Sequence, residues 1–202
     1  MSPTTSPTVT DYDVALVESC LNLLFAAGIA LAEGIEPADV EDAAADDLMT
    51  FRTFPMTTVA GLNDPDGTPL ICGAVISTAE SEQAAQSPSA IMALVERYAG
   101  AAGVPTRDVA VVPDPGSHGA TGSVRVRFGE WDVTDIDYDF TADAHTRTVE
   151  LDIIAAALPL DGAAATFSTP DGRDITLFIP ADADGNAVDA LLEAIAAEFE
   201  AS

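Results

Sequence analysis

Lysine is missing altogether from the 202 residues, and seven arginines face 22 Asp and 12 Glu for a formal charge of −27. A chain so poor in cations cannot neutralise phosphates, which excludes nucleic acid and anionic lipid as partners. The acid is spread along the chain and not gathered in one tail. That distribution fits a surface adapted to concentrated salt, on which carboxylates hold water and counter-ions. An acidic surface for a basic partner is the second reading. Mimicry of nucleic acid is a weaker third, because no phosphate-like spacing is evident.

Cysteine is nearly absent as well. Cys20 and Cys72 are too few and too far apart for a metal knuckle or a disulfide scaffold. Cys20 falls in an apolar helical pattern and Cys72 in the strand-like "PLICGAVI", so both are expected to be small buried thiols. The opening "MSPTTSPTVT" has no basic region and no cleavable signal pattern, and residues 1–10 read as a disordered lead-in.

Only one long apolar run occurs, "VALVESCLNLLFAAGIALA" at 14–32, about 28 Å if helical throughout. Glu18 and Asn22 share one of its faces, and no Lys or Arg precedes Arg52 to anchor a membrane span. Thr10 with Asp13 three residues on, and Gly34 beyond, instead mark a capped helix of a soluble, cytoplasmic protein. A helix this apolar offers a place for a partner or a second copy, with Leu16, Leu23, Leu24 and Phe25 as the candidate contacts.

What the chain does contain is 48% hydrophobic residues, enough for a packed core. Pro37 opens a second helix with Val40, Ala44 and Leu48 on one side. "TTVAGL" and "TPLICGAVIST" flank the turn signal "NDPDG", so 57–78 reads as a hairpin. Ser87 and Pro88 start a helix carrying Ile91, Leu94, Val95 and Tyr98 at helical spacing. Short strands follow: "DVAVV", "SVRVRF", "EWDVTDIDYDF", "RTVELDII", "AAATFS" and "DITLFI". A last helix has the stripe Val188, Leu191, Leu192, Ile195 and Phe199. The expected fold is α+β, a mostly antiparallel sheet with helices at the N-terminus, middle and C-terminus. Its halves are expected at 11–103 and 104–202, packed as one domain.

In "WDVTDIDYDF" the apolar set changes parity between Val133 and Ile136, which predicts a bulge near Thr134–Asp135 or a junction of two strands. Beyond it Asp135, Asp137 and Asp139 share a face. Pairing with "RTVELDII" would add Glu150 and Asp152 to that face, a candidate metal patch that needs positive charge. Arg125 and Arg127 of the preceding strand, with Arg147, can supply it. Carboxylates on alternate strand residues stand about 7 Å apart, too wide for one small ion without a further shell. No cofactor is expected.

Two other segments invite chemistry. "PDPGSHGATG", residues 113–122, holds Ser117 and His118, a weak nucleophile–base pair, because adjacent side chains seldom point at each other. His145, with Asp143, sits in an expected turn. "DADGNAVDALLE" spaces its acids like a calcium loop but has Ala187 where the loop needs glycine, so it reads as a helix start with Asn186 as N-cap and Asp189 behind it. The function expected from these features is a non-enzymatic, salt-adapted protein that binds a protein partner or itself, forming a homo-oligomer. The alternative is a small hydrolase or metal-dependent enzyme using the 113–122 loop or the 135–152 carboxylates.

Overall fold

A computed structural model of the protein describes residues 8–65, 67–78, 87–116, 120–130, 132–139, 141, 158, 161–168 and 173–200. The fold is α+β, with six helices and two small antiparallel sheets among these residues. The chain forms two compact units. One comprises residues 1–74 and 179–202, the other 75–178. The change of character near residue 103 therefore falls inside the second unit, whose middle helix packs on the strands that follow it.

The first unit is helical: α1 (Asp11–Ala26), α2 (Pro37–Ala45), α3 (Leu48–Thr53), α4 (Pro55–Ala60) and α6 (Gly185–Glu200). The capping box of α1 is present, with Thr10 N–H and Oγ1 donating to Asp13 Oδ2 at 2.8 and 2.7 Å. The helix is shorter than its apolar run. Gly28 at φ +78° reverses the chain, where a side chain would be strained. The run continues extended: Ala32 N–H donates to Leu70 O and Cys72 N–H to Ala30 O, around a bridge between Leu31 and Ile71. No helix among the described residues is long and apolar enough to cross a membrane.

The hairpin expected over 57–78 is not formed. "TTVAGL" belongs to α4 and its end, with Pro55 in the first turn and Gly61 at the C-cap. Thr57, Thr58 and Val59 favour strands by propensity, yet Met56–Ala60 are all buried in a helix packed on α1 and α6. Burial outweighs a propensity difference worth only tenths of a kcal/mol per residue. The turn itself holds: Asn63 bridges Pro69, and Asp64 Oδ1 accepts Thr68 N–H at 2.7 Å. Val40, Ala44 and Leu48 face inward as their spacing requires. At the start of α6 it is Asp184, not Asn186, that caps. Its Oδ1 accepts the N–H groups of Asn186 (2.8 Å) and Ala187 (3.3 Å).

The second unit holds β1 (Ala74–Thr78), α5 (Pro88–Ala101), β2 (Thr106–Pro113), β3 (Thr121–Phe128), β4 (Asp132–Asp139), β5 (Ala163–Ser168) and β6 (Arg173–Ile179), the end residues of β1 and β6 lying at its borders. The strands divide into two sheets, ordered β1-β6-β5 and β2-β3-β4. Ser87 caps α5, whose Ile91, Leu94, Val95 and Tyr98 are buried with Val124, Val126 and Phe128 of β3 and Ile136 and Tyr138 of β4. Tyr98 meets Phe178 of β6 edge-on at 6.1 Å. Each such side chain contributes roughly 1.5–3 kcal/mol on burial.

The bulge expected near Thr134–Asp135 is also absent. β3 and β4 pair without a break from Thr121↔Asp139 to Phe128↔Asp132. The parity change is absorbed by leaving Val133 on the outer face, 54% exposed and directly across from Arg127. One exposed valine costs the strand less than a broken ladder.

Candidate functional site

Alternation along β3 sends Val124, Val126 and Phe128 inward and Ser123, Arg125 and Arg127 outward. Register then sets the outer face of β2–β3–β4 in rows. Asp108, Arg127 and Val133 form one row; Ala110, Arg125 and Asp135 the next; Val112, Ser123 and Asp137 the third. Asp139 stands across from Thr121.

Arg125 grips Asp135 with Nε and Nη2 at 2.8 and 3.1 Å. These hydrogen bonds, aided by the attraction of opposite charges, hold the Asp135 carboxyl below its ordinary range and raise the guanidinium. Arg127 pairs with Asp108 at 3.2 Å, and Arg107 lies 3.9 Å from Glu130. Asp139 Oδ1 accepts from Thr141 N–H (2.8 Å) and Oγ1 (2.6 Å), a local turn contact. Asp137, between Asp135 and Asp139, enters no ion pair among the described residues. Val112 and Val133 are exposed on this same face.

Three of the five candidate metal ligands are thus on one face, and one of them is already tied to an arginine. Among the described residues no group of three or more His, Cys, Asp or Glu is placed to hold a metal ion. Strand spacing explains this, since alternate carboxylates diverge from any single point. Glu150 and Asp152 lie outside the described residues, as do Ser117, His118, Asp143 and His145.

The four candidate contacts of α1 separate. Leu24 is fully buried, Leu16 and Leu23 are half-buried, and Phe25 is 44% exposed. Leu24 therefore belongs to the core of the first unit and is no surface contact. Tyr12 and Met49, which no sequence pattern singled out, are the most exposed large apolar side chains here. A shallow cleft opens among α1, α2 and α3, lined mainly by Val9, Val14, Val17, Ala44 and Leu48, with a cavity volume of only about 10 Å³. Typical ligand pockets hold roughly 300–1,000 Å³.

The two thiols differ. Cys20 is buried, and its burial, with Glu198 nearby, pushes its pKa up to about 12. Cys72, expected to be buried, is exposed, because "PLICGAVI" turns at Cys72–Gly73 before β1 begins. Both are free. Two long-range contacts escaped the sequence: Arg52 with Asp13, 39 positions apart, and Glu198, whose carboxylate accepts the N–H groups of Met56 and Thr57. Neither has a local signature. No protein-family model, curated protein or solved structure matches this chain.

Proposed function

We propose that the protein is a non-enzymatic, salt-adapted interaction protein that presents the outer face of β2–β3–β4 to a basic protein partner. The observation that carries this is the line of Asp135, Asp137 and Asp139 along the outer edge of β4, beside exposed Val112 and Val133 on a regular sheet. An exposed face that mixes carboxylates with apolar side chains suits a partner segment mixing Arg or Lys with apolar residues. Self-association through this face is opposed by like charge, so the occupant is a different chain. Two free thiols, one of them exposed, fit a reducing, cytoplasmic setting.

The test is a titration with two peptides of equal length, one alternating Arg and Leu, the other Glu and Leu. The basic peptide is expected to bind, more weakly as salt rises, and Asp137→Lys to weaken it roughly tenfold with an unchanged circular dichroism spectrum. Equal binding of both peptides, or an unaffected Asp137→Lys variant, would refute the assignment.

A further inference from the structure

The two units carry their charge differently. The first has 18 Asp and Glu against one Arg, a net −17; the second, of similar length, has 16 against six, a net −10. The single basic side chain of the first unit is already committed, because Arg52 is bound to the buried carboxylate of Asp13. That unit contains no second basic side chain for its other 17 carboxylates. Several do useful local work, such as Asp39 at the start of α2 and Asp184 at the start of α6, but they accept N–H groups and cancel no charge. Arg52 stands in the last turn of α3, but the negative ends of α1, α2, α4 and α6 have no basic residue there, and α6 ends on Glu198 and Glu200. In the second unit, by contrast, Arg107, Arg125 and Arg127 each stand beside a carboxylate: Glu130 of the β3–β4 turn, Asp135 and Asp108.

We infer that the first unit is gated by salt: as ionic strength falls it opens at a salt concentration at which the second unit is still folded. The cause is screening. The Debye length grows from about 3 Å at 1 M to about 10 Å at 0.1 M, so neighbouring surface carboxylates that ignore each other in concentrated salt repel in dilute salt. Self-repulsion opposes the compact state most where no internal cation offsets it. The inference depends only on this charge balance, not on any partner of the sheet face.

The chain carries a probe in each unit. Cys20 is buried in the first unit, and Cys72 is exposed. Trp131, the only tryptophan, falls within the second. The experiment uses the full chain with Cys72→Ser, equilibrated from about 3 M KCl to about 10 mM. A neutral maleimide reports the accessibility of Cys20, and emission reports Trp131. The expected result is that Cys20 becomes reactive at a salt concentration at least about twofold above that of any change in Trp131 emission. Replacing four exposed carboxylates of the first unit (Glu33→Gln, Asp42→Asn, Asp46→Asn and Glu193→Gln) should lower the Cys20 midpoint roughly twofold and leave the Trp131 curve in place. Coincident transitions, a Trp131 change that precedes Cys20 labelling, or Cys20 protected down to the lowest salt would overturn the inference. So would a Cys20 midpoint that the four substitutions do not move.

Discussion

Arg52 holds Asp13 with Nε on Oδ1 and Nη2 on Oδ2, both at 2.7 Å, and its Nη2 also donates to the carbonyl of Thr8 at 3.1 Å. One guanidinium thereby ties α3 to the first turn of α1 and to the chain just before it. Asp13 accepts from Thr10 as well, so a buried carboxylate has its lone pairs filled from two directions.

Removing one partner is worse than removing both, since it strands a buried charge. Arg52→Gln is expected to lower the urea midpoint of the first unit by more than any substitution of an exposed carboxylate. Asp13→Asn, which keeps the Thr10 contact in part, should fall between. Equilibrium denaturation followed by circular dichroism decides this, and an Arg52→Gln midpoint equal to wild type would dismiss the pair as ornamental.

The pH dependence has two limbs. Hydrogen bonds from Arg52 and Thr10 hold Asp13 well below the ordinary carboxylate range, so its contribution is complete at neutral pH. It fades as pH falls from about 5 through that range toward the lowered folded-state value. Cys20 behaves in the opposite sense. Its folded-state value is pushed from 9.0 up to about 12, so stability is lost as pH climbs across that interval, where only the unfolded thiol ionises. Asp13→Asn should flatten the acid limb and Cys20→Ala the alkaline one. Denaturation midpoints across pH 2–12 measure both.

Glu198 reaches from α6 to the backbone N–H groups of Met56 and Thr57, and the next residue, Phe199, meets Phe54 with the rings tilted and 6.1 Å apart. Glu198→Ala leaves two N–H groups at a helix start without their acceptor, at a cost of about 1–3 kcal/mol. Amide exchange should quicken in α4 and α6 together. Exchange that quickens only in the last turn of α6 would mean the carboxylate does not hold the helices to each other.

Within α1 the apolar residues separate by outcome. Leu24→Ala empties a core position and should cost about 2–5 kcal/mol. Phe25→Ser, at an exposed site, should shift stability by under about 1 kcal/mol. Light scattering of the Phe25→Ser variant reads its second consequence, because a change in solution mass would make that side chain a contact between copies.

Much of the second unit is legible in the sequence. Period-two alternation in "SVRVRF" and helical spacing after Ser87–Pro88 are each satisfied by local packing, and the structure follows them. The places that misled share one cause, which is that distant burial outranks local pattern. Thr57, Thr58 and Val59 read as strand until α1 and α6 cover them. The parity change at Val133 reads as a bulge because sequence cannot price an exposed valine against a broken ladder. "PLICGAVI" looks like one strand, but Gly73 at φ +77° divides it and leaves Cys72 outside. For the acidic face, the line of Asp135, Asp137 and Asp139 and the reach of Arg125 follow from alternation alone. Which aspartate the arginine takes is a matter of register, and no single strand encodes register.

The first unit is assembled from both sides of the second in the chain: α1 to α4 precede it and α6 follows. During synthesis the faces of α1 and α4 that pack against α6 must therefore wait until the ribosome has delivered the whole of the second unit and then α6 itself. The unit encoded in the interior is the earlier one to be complete. The position of one helix thus makes the unit that begins the chain the last to have all of its elements delivered.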